Sequence, residues 1–547
     1  MRNFEKEIRA HALKNALEHG KAQVERILPK LFQHGLQKKD IPEIIPDIKE
    51  IVKEVNSLDK NKQQKALNLL AGYIPEKQEQ PSGLPELPNP SKKMVLRLAP
   101  FPSGALHIGN AKTFTLNAIY AEKYNGKLIL VMDDTIGSEK KPLMKESYKL
   151  IEDAFKFLKI NHEKKIIYKS NRLKIYYNYA EKLIEKEKAY VCYCSQEELR
   201  KNREGGIECG CRQLPKKIQI ERWKEMFRAK QGHAVLRIKT NMMHPDPAFR
   251  DRVLFKISDR PHPKTKKRYR VWPTLEMSWA IDDHLLGITH IIRGNDLAIE
   301  TQMEKYLWDI FHWKHPETIH TGLVNLEGAD KISKSKAQEE VKSGKFAGWS
   351  DPRTWSIQSL EKRGILPEAI RQFVREIGLN KQDITLPIES LYSINRRMID
   401  SASNRFSFIA DPIKITIKDR PQIKTIQVPV HPEKKETRTV RVGEISVSKS
   451  DFTKLKGKEV RLLHLYNVKL DKQAKLTSTE NKNIPKINWV SHSVPATILM
   501  PDGKTVKGIA EEGIKTLKNS EVLQFERFGF VKLNKKGSEY NFWFAHR

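Results

Sequence analysis

Near the amino terminus apolar residues recur at helical spacing, at Phe4, Ile8, Ala12, Leu13, Ala16 and Leu17 and again at Val24, Ile27, Leu28 and Leu31, which predicts a small helical domain over residues 1–75. Residues 76–93 are polar and carry Pro81, Pro85, Pro88 and Pro90, the composition of an extended, solvated linker. The short apolar run Val95-Leu96-Arg97-Leu98 follows, then the turn-rich stretch from Ala99 to Gly104, then helical spacing as far as Tyr124. A second run, Lys127 to Met132, ends in Asp133-Asp134-Thr135 and leads to Leu150, Ile151, Ala154, Phe155 and Leu158 at helical spacing. Strand, loop and helix in alternation predict an α/β domain built on a parallel, Rossmann-type sheet over residues 94–345, whose ligands sit at the carboxyl ends of the strands. The site is therefore expected near Pro100 to Asn110 and Asp133 to Thr135. Between about 190 and 280 the periodicity weakens, which reads as an insertion. Residues 346–395 read as helices, with Gly364 and Pro367 between two of them. From 396 to 547 the runs Ile413–Ile417, Thr439–Val442, Glu459–Leu463 and Ala496–Met500 favour strands between turns, as in an antiparallel β-barrel.

Charge narrows the partners. Lys and Arg number 100 against 67 Asp and Glu, a formal charge of +33 on a chain that is 39% hydrophobic, so a polyanion such as RNA, DNA or an anionic membrane is the expected partner. No apolar run approaches the roughly 20 residues of a membrane span. The start, Met1-Arg2-Asn3-Phe4-Glu5, lacks the apolar stretch of a secretory signal, and a cytoplasmic protein is expected. The four cysteines all fall between Cys192 and Cys211. Cys192, Cys194, Cys209 and Cys211 offer four soft ligands that suit tetrahedral zinc, with buried free thiols as the alternative.

Leu106-His107-Ile108-Gly109-Asn110 lies where a strand–loop–helix unit turns, and a helix start there presents free N–H groups to a phosphate. Gly109, without a side chain, would let a base or ribose lie against the backbone. Further on, Asp330-Lys331-Ile332-Ser333-Lys334-Ser335 places two ammonium groups and two hydroxyls on one polar loop. In this order the two elements resemble the HIGH and KMSKS signatures of class I aminoacyl-tRNA synthetases. The segments from Arg97 to Gly109, Asp133-Asp134-Thr135, Ser170 to Tyr177, Ile281 to Asp296 and Gly364 to Arg371 are similar to the archaeal type of glutamyl-tRNA synthetase within the glutamyl/glutaminyl branch.

That resemblance implies ligation of glutamate to tRNA(Glu) through a glutamyl-adenylate, with ATP and Mg2+, and with tRNA(Gln) as a further candidate. It implies His107, Lys331 and Lys334 as catalytic residues, and Gly104, His107, Gly109, Asn110, Lys331, Ser333 and Lys334 around ATP. Arg97, Asp133 and Arg293 would bind glutamate, Asp133 taking the α-ammonium group. In the family, arginine at the position of Arg293 marks glutamyl enzymes. The alternative for Arg293 is an ion pair within the fold, with Asp282 or Asp283. Asn110, Ile332, Val131 and Leu275 depart from the usual pattern, Leu275 standing where a tyrosine is common. Some relatives carry zinc near the cysteines. A monomer is expected, with its amino-terminal domain available to other proteins. The competing functions are a glutaminyl-tRNA synthetase and a non-catalytic tRNA-binding relative.

Overall fold

In a computed structural model, residues 4–31, 34–36, 40–74, 84–139, 141–327 and 334–547 are described. The chain divides into two compact units, Met1–Ser82 and Gly83–Arg547. The first is helical, with helices Glu5–His19, Val24–Leu31, Ile41–Ser57 and Lys60–Leu69. Their apolar stripes meet in a core of Ile8, Ala12, Leu13, Ile27, Leu31, Ile48, Val52 and Val55.

In the second unit, strands Val95–Leu98, Lys127–Met132 and Ile167–Tyr168 form a parallel sheet with Lys127–Met132 in the middle. Strands His290–Gly294 and Glu317–Thr321 form a second parallel pair. The two sheets join where Val95 donates its N–H to Thr289 Oγ1 at 2.9 Å and accepts the Thr289 N–H at 2.9 Å. The helix Ile108–Lys123 covers this sheet, burying Leu116 and Ile119 on Leu96, Leu98, Leu128 and Leu130. Its Asn117 donates to the carbonyl of Ile292 at 3.1 Å and fixes the helix to the far strand. This is an α/β, Rossmann-type architecture, and residues just past the strands Val95–Leu98, Lys127–Met132 and His290–Gly294 line one cavity.

The region of weak periodicity is a four-stranded antiparallel meander, Ala189–Cys192, Val235–Ile238, Val253–Ile257 and Val271–Pro273. Its core is aromatic, with Trp223, Phe255 and Trp272 buried, so β-branched alternation is scarce in the sequence. The helix Leu275–Leu285 returns the chain to the parallel sheet. Helices Ile357–Arg363 and Pro367–Ile377 are separated at Gly364.

The carboxyl-terminal part holds two large sheets, of seven and six strands. The seven-stranded sheet begins with Arg405–Phe406 and ends with Phe408–Ala410. Because one residue separates these outer strands, the sheet must curl round on itself, which makes it nearly barrel-shaped. Most of its pairings are antiparallel; Arg405–Phe406 with Val522–Phe525 and Ser493–Leu499 with Tyr540–His546 are parallel. Arg363, fully buried, donates to the carbonyls of Phe544 at 3.0 Å and Ala545 at 2.6 Å and ties the helices to this sheet. Among the described residues no helix is long and apolar enough to cross a membrane.

Candidate active site

The loop after Val95–Leu98 leads into the helix Ile108–Lys123 through His107, which is its N-cap. The backbone of His107 is extended, and its ring Nδ1 accepts the N–H of Gly109 at 3.2 Å. A neutral ring bonded this way carries its proton on Nε2. Asn110 follows on the first turn, and both His107 and Asn110 line a cavity of about 970 Å³. The positive end of the helix dipole and an N–H donor therefore face the same space.

The two glycines singled out in the sequence act through the backbone. Gly104 turns the loop at φ +146°, a region that L side chains rarely adopt. At Gly109 a Cβ would stand 3.1 Å from the His107 ring and 3.4 Å from the carbonyl of Val324. The space a side chain at Gly109 would take is filled by the histidine ring, so the missing side chain keeps room for the cap.

Asp133 ends the strand Lys127–Met132, is buried, and lines the cavity. The ammonium of Lys169 lies 3.0 Å from it and also donates to Ser278 Oγ at 2.9 Å. Burial pulls the pKa of Lys169 down against the attraction of Asp133. The neighbouring Asp134 faces inward and accepts from Ser170 N–H and Oγ and from Tyr148. Burial raises its pKa despite those donors.

Arg97 and Arg293 converge, but neither lines the cavity. Arg97 clasps Asp283 through Nε and through Nη2 at 3.0 Å. Burial works against its charge, yet Asp283 outweighs burial and the guanidinium ends above its usual pKa. Arg293 donates to both oxygens of Glu304, at 2.8 and 3.0 Å, and to Thr301 Oγ1 at 2.9 Å. The ion pair within the fold is therefore real but its partner is Glu304; Asp283 is taken by Arg97, and Asp282 by Arg172 at 2.8 Å and the Tyr176 hydroxyl at 2.7 Å. Trp279 stands at the centre. Arg97, Lys169 and Arg293 lie 4.8, 4.7 and 4.5 Å from its ring centroid, and Trp279 itself lines the cavity. Three cations are thus presented to the cavity through one indole.

Sequence reasoning missed Lys169, Trp279 and Glu304. Lys169 and Trp279 adjoin the segments Ser170 to Tyr177 and Ile281 to Asp296, and Glu304 lies beyond the latter, but a single lysine, tryptophan or glutamate carries no local signal of its partners. Arg252, also missed, lines the cavity between Glu276 and Glu300, whose carboxylates it bridges. Leu275 lines the cavity as well, while Val131 is buried in the core.

Lys331 and Ser333 lie outside the described residues, as do the side chains of Lys334 and Ser335, which open the helix Lys334–Lys342. Gln338, one turn after Lys334, lines the cavity.

In the insertion the four cysteine sulfurs all lie within 4.8 Å of one another, with Cys192 and Cys209 at 3.7 Å. A tetrahedral zinc with ~2.3 Å Zn–S bonds sets its sulfurs ~3.8 Å apart, so the cluster has the right size. The contact with Cys192, with help from the Tyr190 hydroxyl and Arg237, holds the Cys209 thiol down to about 5 although burial opposes it. Arg222 donates to Cys211 Sγ at 3.3 Å, and Arg237 lies 3.9 and 3.8 Å from Cys192 and Cys209. Two guanidiniums beside four thiols suit the excess negative charge of a four-thiolate metal site.

Comparison with known proteins places the chain in a family. Residues 93–401 match the family described as tRNA synthetases class I (E and Q), catalytic domain. Residues 403–488 and 486–534 match two models of the anti-codon binding domain of the same synthetases. The chain is 41% identical to the glutamate–tRNA ligase of Pyrococcus horikoshii over 98% of each chain. It is 35% identical to the glutamate–tRNA ligase of Methanocaldococcus jannaschii over 100% of each. A solved glutamate tRNA ligase from Elizabethkingia meningosepticum, 21% identical, aligns with 57% of this chain and 70% of its own at a TM-score of 0.41.

Proposed function

The chain belongs to the class I tRNA synthetases of the glutamate and glutamine family, and we propose that its cavity at the carboxyl ends of the parallel strands joins glutamate to tRNA(Glu) in two steps. A glutamate carboxylate oxygen attacks the α-phosphorus of ATP and pyrophosphate leaves, giving glutamyl-adenylate. The terminal ribose hydroxyl of the tRNA then attacks the acyl carbon and AMP leaves. The observation that carries the reading is that similarity to glutamate–tRNA ligases runs through the whole chain, the catalytic part and both anticodon-binding parts together.

Each step needs positioning and stabilisation of developing negative charge more than a protein nucleophile. His107 Nε2 and the first turn of Ile108–Lys123, with Asn110, hold the phosphates and donate to the oxygens that gain charge. Gly104 and Gly109 shape the backbone that places them. Lys331, Ser333 and Lys334 contact the departing phosphates, with Lys331 and Lys334 countering the charge on pyrophosphate. Asp133 takes the α-ammonium group, with Lys169 holding its carboxylate in place. Arg293 takes the γ-carboxylate, and Arg97, clasped by Asp283, adds positive potential behind Trp279. Mg2+, when bound with ATP, would neutralise part of the phosphate charge.

Zn2+ held by Cys192, Cys194, Cys209 and Cys211 would fix the outer end of the insertion, next to the strand Ala189–Cys192. The nearly closed sheets from residue 403 onward read the anticodon, and the excess of 33 positive charges supports tRNA along the chain. Charging assays with labelled glutamate and labelled glutamine on total tRNA test the assignment. Glutamate ligated to tRNA(Glu), with a kcat/KM far above that for glutamine, is expected; preference for glutamine would assign the other branch, and no ligation with either would leave a tRNA-binding relative.

A further inference from the structure

A guanidinium recognises a carboxylate through two parallel N–H···O bonds, and in this site the fork of Arg293 is filled in that way by Glu304, at 2.8 and 3.0 Å. Glu304 lies on the helix Ala298–Phe311 and is fully buried. Around Trp279 the charges close one to one: Arg97 with Asp283, Lys169 with Asp133, Arg172 with Asp282 and Arg293 with Glu304. Glutamate, with one ammonium and two carboxylates, adds a net negative charge to this balanced set. An uncompensated carboxylate taken out of water is costly, so a resident carboxylate has to lose its charge when the substrate enters.

Glu304 is the resident that can do so. Asp283 is clasped by Arg97, Asp133 is held by Lys169, and Asp282 has both Arg172 and Tyr176. Glu304 holds only Arg293, the group the substrate needs, and the Nε of Arg293 is buried without an acceptor among the described residues. The charged and titratable groups around the pair are Arg97 from Val95–Leu98, Asp283 from Leu275–Leu285 and His320 from Glu317–Thr321. His320 reaches the pair through Thr301 Oγ1 at 3.0 Å, and burial lowers its pKa, which keeps it neutral.

We propose that Glu304 is a specificity-determining residue, an internal stand-in for the substrate's side-chain carboxylate that occupies the Arg293 fork and gives it up, taking one proton from solvent, when glutamate binds. This rests on the reading that Arg293 takes the γ-carboxylate. Burial pushes Glu304 up to about 7 against the pull of Arg293, so the proton is available near neutrality. The sign follows: below pH 7 Glu304 is already protonated and glutamate binds without proton uptake; above it each pH unit raises the glutamate KM by up to about tenfold. The KM for ATP has no such limb.

Calorimetry of glutamate binding to the full chain at pH 8, in buffers of different ionisation enthalpy, reads the proton directly. Uptake of about one proton per glutamate is expected, and no uptake overturns the proposal. Glu304→Gln should abolish the uptake and lower the glutamate KM at pH 8 by about tenfold, the protonation cost one unit above the pKa, while the ATP KM stays; a glutamate KM equal to or above the parent's overturns it. The wild-type calorimetry decides if this variant folds poorly. Arg293→Lys separates the two layers. A raised glutamate KM in that variant, with no proton uptake by the parent, removes Glu304 from the mechanism and leaves Arg293 in place. An unaltered glutamate KM in Arg293→Lys removes the reading beneath it as well.

Discussion

Replacing His107 by asparagine separates the helix cap that its ring makes from the catalytic role proposed for it. The first is structural: Nδ1 accepts the N–H of Gly109 at 3.2 Å and caps the helix Ile108–Lys123. A side-chain N-cap contributes about 0.5–2 kcal/mol, and asparagine caps as well as any residue because its Oδ1 sits close to where histidine carries Nδ1. The second is the catalytic role proposed for it: His107 lines the cavity, where its Nε2–H would donate to phosphate oxygens as they gain charge. Removing one preorganised donor of that kind costs about 2.7–4 kcal/mol of transition-state stabilisation, or 10²–10³ in rate. His107→Asn should therefore unfold at the same denaturant concentration as the parent yet form glutamyl-adenylate about 10²–10³ times more slowly. His107→Ala should show the same loss of rate and, in addition, lose about 1 kcal/mol of stability with the cap. Single-turnover adenylate formation and denaturant unfolding on the same preparations measure both. Adenylate formed by His107→Asn at the parent's rate would refute the catalytic role. Equal destabilisation of the asparagine and alanine variants would refute the cap.

Lys334→Ala should slow adenylate formation by about 10²–10³ through loss of a donor to the departing phosphates, with little change in glutamate affinity; single-turnover kinetics at saturating glutamate read the difference. Protein purified without a histidine tag should contain about one zinc per chain by elemental analysis, and Cys209→Ser should lose it and make the segment between Ala189 and Pro273 more sensitive to proteolysis. Binding of tRNA should weaken steeply with salt, with a log–log slope of about −4 or steeper if some five phosphates are neutralised; a slope near zero would mean that the +33 charge serves another purpose.

The parts of this protein that the sequence determined are those whose chemistry is local. Leu106 to Asn110 carries its candidate groups on a few consecutive residues, and a helix start after a strand is enough to aim them at a phosphate; the second signature, Asp330 to Ser335, falls mostly outside the described residues. The four cysteines could be read as a ligand set because no others exist in the chain. Alternation of apolar runs fixed the parallel sheet, since a four-residue strand buried on both faces and a helix of period 3.6 leave different traces. The meander between Ala189 and Pro273 left a weaker trace because its core is built of aromatic residues from strands and helices together.

Tertiary structure alone decided which charges meet. Arg97 and Asp283 are 186 residues apart, and Lys169 meets Ser278 across 109. Arg293 and Asp283 lie much closer in sequence, yet the strand His290–Gly294 turns its arginine toward the helix Ala298–Phe311, and Glu304 fills its fork. A buried charge must find a partner wherever packing brings one within about 3 Å, and sequence separation does not enter that energy. The same reason hid Trp279, whose role comes from the three cations set against its ring by elements far apart along the chain. Sequence thus pointed to a site for phosphates and an amino acid, while the fold decided that Arg97, Lys169, Arg172 and Arg293 each already hold a carboxylate.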